Sequence, residues 1–171
     1  MEFFKVINSR RSIRRFQCEE VELAVLQKIV AAGAEAPSGC NLHLKQFIIV
    51  DDPAVVDKLR RFSKALHEAL AVIAIIVEPK SSDYGEFWIQ DASAAMENML
   101  LAAVALGYGG CWVEGAVRSN EQEIAAVLNV PANLRPWSLM PVGKPSQELH
   151  RPTKPAWQEI THYNRYGQTD R

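Results

Sequence analysis

Residues Asp91 to Leu106 constrain the fold of this chain most strongly. Ala92, Ala95, Met96, Met99, Leu100, Ala103 and Leu106 recur at the spacing of one helical face, and Ala94, Leu101, Ala102 and Val104 leave little polar surface elsewhere. A helix that is apolar nearly all round must be covered on most of its circumference, so this one is central. Gly107-Tyr108-Gly109-Gly110 terminates it. The covering layers include Leu70 to Val77, whose Ile and Val content reads as a buried strand.

The remaining pattern mixes helices and strands. Phe3, Val6 and Ile7 predict a short amphipathic helix that docks its apolar stripe. Glu19 and Glu20 open a second helix carrying Leu23, Leu26, Ile29 and Val30, with Gly33 where a left-handed C-cap would end it. Phe47 to Val50 is a β-branched run, Leu59 and Phe62 belong to a helix after Pro53, and Cys111 to Val113 and Trp137 to Val142 are strand candidates. Asn120 to Leu128 reads as a helix with Asn120 as N-cap. There is no repeat and no internal linker before the end of the chain. The pattern gives one α+β or α/β domain over residues 1–171. After Gly143 the chain becomes polar and proline-punctuated, yet it carries Trp157, Ile160 and Tyr163, so residues 144–171 form an arm that docks on something, a partner subunit being one candidate.

Composition narrows the functional classes. A formal net charge of −1 gives no footprint for nucleic acid, because phosphate backbones are met by a strong excess of Lys and Arg. Three cysteines without a CxxC pair give neither a disulfide framework nor a thiolate zinc site, and fit a reducing cytoplasm. His43, His67, His150 and His162 lack the helical pairing that a metal site favours. The start of the chain lacks a signal-peptide pattern and the longest apolar run is too short for a bilayer, so a cytoplasmic protein without membrane partners is expected.

Against that near-neutral background, Arg10, Arg11, Arg14 and Arg15 crowd into one short segment with Ser12. If the segment is extended, Arg10, Ser12 and Arg14 share a side; if helical, Arg10 and Arg14 still share a face. Two guanidiniums and a hydroxyl suit a phosphate monoester, the alternative being a solvated basic turn. Gly107, Gly109 and Gly110 do not make a dinucleotide fingerprint, since they follow a helix and precede a strand. No Walker loop or nucleophile elbow is present. Cys40 and Cys111 have no histidine beside them, and Asp91, Glu97 and Glu114 show no paired arrangement for acid–base work, so no catalytic side chain is assigned.

Taken in order, Arg10-Arg11-Ser12-Ile13-Arg14-Arg15-Phe16, Ala36-Pro37-Ser38-Gly39-Cys40-Asn41, the helix running into Gly107-Tyr108-Gly109-Gly110-Cys111-Trp112-Val113-Glu114-Gly115, Pro141-Val142-Gly143 and Arg151-Pro152-Thr153-Lys154-Pro155 resemble the FMN-dependent nitroreductase family over nearly the whole chain. The short stretch between Val77 and Phe87 resembles its small, minimal branch.

The resemblance implies an α+β fold with a mixed, mainly antiparallel sheet flanked by helices. It also implies an intertwined homodimer in which each carboxy-terminal arm packs on the other subunit. It implies FMN as cofactor and NADH or NADPH as donor, with electrons passed through flavin N5 to a nitroaromatic, quinone or flavin acceptor in ping-pong order. By the same resemblance, Arg10, Arg11, Ser12 and Arg14 hold the FMN phosphate and ribityl chain, and Pro37, Ser38 and Asn41 reach the flavin from the partner subunit. Trp112, Glu114 and Gly115 lie against the ring, with the backbone N–H at Glu114 aimed at N5, and Arg151 or Lys154 adds a second cation for the phosphate. An FMN-binding sensor or storage protein without useful turnover is the alternative.

Overall fold

The computed structural model describes residues 2–80, 85–146, 150 and 152–169. Its centre is strand β2 (Ala71–Val77), buried along its whole length. With β1 (Lys45–Val50), β3 (Gly109–Gly110) and β4 (Arg135–Gly143) it forms a sheet in the order β1-β2-β4-β3, every neighbouring pair antiparallel. The fold is α+β, and the α/β reading with parallel strands is set aside.

Strand alternation then builds two cores. Ala71, Ile73, Ile75 and Val77 face helices α2 (Leu23–Ala34) and α4 (Trp88–Ala105), whereas Val72, Ala74 and Ile76 face α3 (Pro53–Arg60), α5 (Gly115–Ser119) and α6 (Glu121–Val127). A strand covered on both faces cannot alternate polar and apolar residues, which is why 70–77 reads as a continuous apolar run. The register slips between Ile75 and Ile76, so Trp137 turns to the α4 side although Leu139 faces the other core. There Trp137 meets Trp88 edge to face, ring centroids 5.1 Å apart.

Helix α4 is central, as its composition predicts, with Asp91, Ala92, Ala95, Met96, Met99, Leu100 and Ala103 buried. Gly33 does not cap α2, however. It lies inside that helix, and a Cβ there would come within 2.7 Å of Met99 Cγ, so its role is to let α2 and α4 approach closely. Gly107 does take a left-handed conformation after α4, at φ +85°. Asn120 is not an N-cap through its side chain; its amide instead donates to Ala116 O at 2.8 Å, serving the end of α5 rather than the start of α6.

Helix α1 (Phe3–Ser9) forms, but its stripe docks on α4 only in part. Val6 is buried, while Phe3, Phe4 and Ile7 are 64%, 71% and 43% exposed. Past β4 the chain pairs with the amino-terminal segment, Gln17 N–H donating to Lys144 O and Ser146 N–H to Arg15 O. From Pro152 to Ile160 every residue is exposed, including Trp157.

Candidate functional site

The segment Arg10–Phe16 runs beside β3, not as a helix. Ile13 N–H donates to Gly110 O at 2.8 Å, and Ser12 bridges Gly110 in parallel. Ile13 is buried in the α3/α6 core, which holds the segment down and turns its polar neighbours outward. Close approach depends on the missing side chain of Gly109, where a Cβ would fall 2.4 Å from Ile13 Cγ1.

The pairing of Ser12 and Ile13 with Gly110 lays the segment alongside the strand that continues into Cys111. Burial pushes the Cys111 thiol up from its ordinary range, opposed by the positive charge of Arg14, a hydrogen bond from the Ser12 side chain and the charge of Arg10. The thiol is buried and protonated at neutral pH, which leaves it inert while it packs the floor under the cations. Arg10 Nε lies 3.3 Å from Glu97 on α4. The Arg11 guanidinium donates to Asn8 O and Arg10 O at the end of α1.

Beyond β3, Val113 exchanges both backbone hydrogen bonds with Leu139, which fixes the strand end carrying Trp112 and Glu114. Trp112 packs against the α4 core, and its indole nitrogen is buried without an acceptor among the described residues. No acceptor among the described residues takes the Glu114 N–H, and a Cβ at Gly115 would meet nothing within 4 Å. The Glu114 carboxylate is turned toward Arg118, 3.9 Å away.

The loop after α2 carries Pro37, Ser38 and Asn41 as a short 3-10 turn over Gly39–Asn41. Cys40, Asn41 and His43 sit at φ +51°, +56° and +52°. The loop is held to α4, since Gly39 N–H donates to Asp91 Oδ1 at 2.8 Å, and its Ser38 hydroxyl lies 3.5 Å from His43 Nδ1. Lys154 is exposed on the arm. Arg151 lies outside the described residues.

Sequence reasoning weighed Asp91 and Glu97 only for acid–base work and missed that these two α4 carboxylates tie Gly39 and Arg10 to the helix. Asp91 shares the buried stripe of Ala95 and Met99, and a charge on an apolar face is the signal that could have found it. Among the described residues no cluster of three His, Cys, Asp or Glu side chains could hold a metal ion. Nor is any helix among them long and apolar enough to cross a membrane. A separate cavity of about 620 Å³ opens between Glu20–Leu23 and Asp51–Asp57. Its carboxylates Glu20, Glu22, Asp51 and Asp57 oppose an anionic ligand, so the arginine segment is the better phosphate site.

Comparison with known proteins identifies the family and the fold. A protein of Archaeoglobus fulgidus bearing the name "Putative NADH dehydrogenase/NAD(P)H nitroreductase" is 36% identical over 154 residues, covering 86% of this chain and 87% of the relative. An FMN-dependent nitroreductase from Clostridium difficile R20291 superposes with a TM-score of 0.83 at 28% identity, covering 95% of this chain and 99% of that one. A Bacteroides thetaiotaomicron structure named like the Archaeoglobus protein gives 0.84 at 28% identity, covering 95% and 97%. The profile of the Nitroreductase family matches residues 7–76 and 62–144, and the chain belongs to that family.

Proposed function

We propose that this protein is an FMN-dependent oxidoreductase that passes electrons from NADH or NADPH to a small-molecule acceptor, such as a nitroaromatic, a quinone or a free flavin. The observation that carries the reading is that the arginine segment pairs with Gly110, next to a strand end whose Glu114 N–H finds no acceptor among the described residues. The residues present fit FMN, since two cations and a hydroxyl match a phosphate monoester, and an unclaimed backbone donor matches a ring nitrogen that gains electron density.

When bound, FMN supplies the redox chemistry, accepting electrons from the nicotinamide and releasing them to the acceptor. The chain's own residues bind and orient. Arg10 and Arg14 would hold the phosphate, with Arg11 holding the segment at the end of α1. Trp112 would back the ring, and the Glu114 N–H would donate to it next to Gly115, whose missing side chain leaves room. Pro37, Ser38 and Asn41 would close over the flavin from a second copy, and Arg151 or Lys154 would add a cation from the arm. No side-chain acid or base is needed, because preorganised dipoles are already aimed where charge develops.

The working form is a homodimer. Phe3, Phe4 and Ile7 on α1 and Trp157, Ile160 and Tyr166 on the arm are exposed in one chain, and apolar surface of that kind is buried by a partner. A cytoplasmic location fits the cysteine usage.

The test is the anaerobic visible spectrum of the purified protein before and after NADH and then NADPH. A flavin band that bleaches and returns on adding a nitroaromatic or quinone is expected, with parallel initial-rate lines for a ping-pong order. Absence of any flavin band after FMN is supplied overturns the reading.

A further inference from the structure

We infer that Asp91 is a positioning residue, which holds the loop 37–43 in its flavin-binding shape from below. The inference rests on the functional reading above. It starts from a cost the fold itself does not repay. Asp91 is 3% exposed, Oδ1 accepts the Gly39 N–H, and Oδ2 has no partner among the described residues. Burying a carboxylate with half its capacity unmet is unfavourable, and an apolar residue on that stripe of α4 would pack the core at lower cost. The first turn of α4 offers only partial compensation through the helix dipole.

The cost is met where a loop has to be kept in an unfavourable shape. Cys40, Asn41 and His43, none of them glycine, are all left-handed, a conformation that persists only where the surroundings impose it. Pro37, Cys40, Asn41, Leu42 and His43 are exposed, so burial of their side chains does not hold the loop. Two ties act at Gly39. One is the bond to Asp91, and the other is contact with Phe87 so close that a Cβ would lie 2.3 Å from its Cβ. From Gly39 the turn propagates, Asn41 N–H donating to Ser38 O and Leu42 N–H to Gly39 O. Asp91 therefore sets where Ser38 and Asn41 stand, and without it their ordering has to be supplied by the flavin on binding.

The test compares Asp91→Asn, which keeps an acceptor for Gly39, with Asp91→Leu, which fills similar volume without one. The readouts are FMN dissociation constant by flavin fluorescence quenching, thermal midpoint without FMN, and amide hydrogen exchange over 37–43. Asp91→Asn is expected to stay within about threefold of the parent in FMN affinity, and Asp91→Leu to lose about tenfold or more, the worth of one charge-assisted hydrogen bond. Exchange at Gly39 to His43 should quicken in Asp91→Leu alone while the midpoint holds. A Leu variant with parental affinity and unchanged loop exchange overturns the inference, as does one that loses midpoint with no effect confined to the loop. If the parent does not bind FMN, the functional reading fails, and the exchange comparison still decides the role of Asp91. If Asp91→Leu does not fold, Asp91→Ser, whose shorter side chain falls back from Gly39, takes its place with the same expectations.

Discussion

The Glu97 carboxylate lies 3.3 Å from Arg10 Nε, so the central helix reaches directly into the arginine segment. The pair fixes the guanidinium and also offsets part of its charge. For a phosphate dianion nearby, the second effect dominates, because Arg10 keeps its donors for the ligand while the carboxylate repels it. Glu97→Gln should therefore bind FMN more tightly, by about twofold to fivefold at low salt, with the difference fading as ionic strength rises. Weaker binding by Glu97→Gln in a fluorescence titration would show that orientation outweighs repulsion.

Arg10 and Arg14 stand at alternate positions of the extended segment, on either side of Ser12 in sequence, and are expected to bind the phosphate jointly. Charge-assisted hydrogen bonds contribute about 1.5 to 3 kcal/mol each, so Arg10→Ala with Arg14→Ala should weaken FMN binding by orders of magnitude. A full flavin complement in the purified double variant would sink the phosphate assignment.

At the α2–α4 crossing, Gly33 faces Met99 with no space for a side chain. Gly33→Val should destabilise the protein by about 1 to 3 kcal/mol through overpacking, seen as a lower urea midpoint. Gly115→Ala, by contrast, meets open space in the folded chain and should leave the urea midpoint nearly unchanged.

Glu121 and Arg135 form a two-pronged ion pair at 2.8 and 2.6 Å. The Arg135 hydrogen bonds hold the Glu121 carboxyl below its ordinary value of 4.5. A depressed acid contributes stability above its unfolded value, and that contribution is lost as pH falls through the folded one. Both groups are partly exposed, so the contribution is under about 1 kcal/mol. Urea titrations from pH 6 down to pH 3 should show Glu121→Gln losing less stability than the parent, and equal slopes would remove the pair from the account.

If the arm docks on a second copy, light scattering should report a dimer, and ending the chain at Gly143 should give a monomer with impaired FMN binding. A monomer that retains FMN would contradict a site built from two chains.

Residue type alone dictated the layers. A helix with so wide an apolar surface and an Ile/Val run can be satisfied only in the middle of a structure, so α4 and β2 were legible from residue type alone. For the arginine segment residue order left an extended and a helical reading open, and the pairing with Gly110 decided for the extended one. Features that depend on a distant neighbour were not legible. Gly33 looked like a cap because its reason, Met99, is far along the chain, and Asn120 looked like an N-cap because its amide could equally serve the helix before it. The stripe Phe3, Val6 and Ile7 promised burial, yet periodicity does not say whether the covering surface belongs to the same chain. Asp91 shows the limit most clearly. In the sequence it is one carboxylate at a helix start, and only the tertiary structure, by closing a loop 52 residues earlier onto it, made it the support of the candidate site. Hydrophobic pattern and backbone alternation are written locally, whereas close packing and hydrogen bonds between distant segments exist only once the chain has closed on itself.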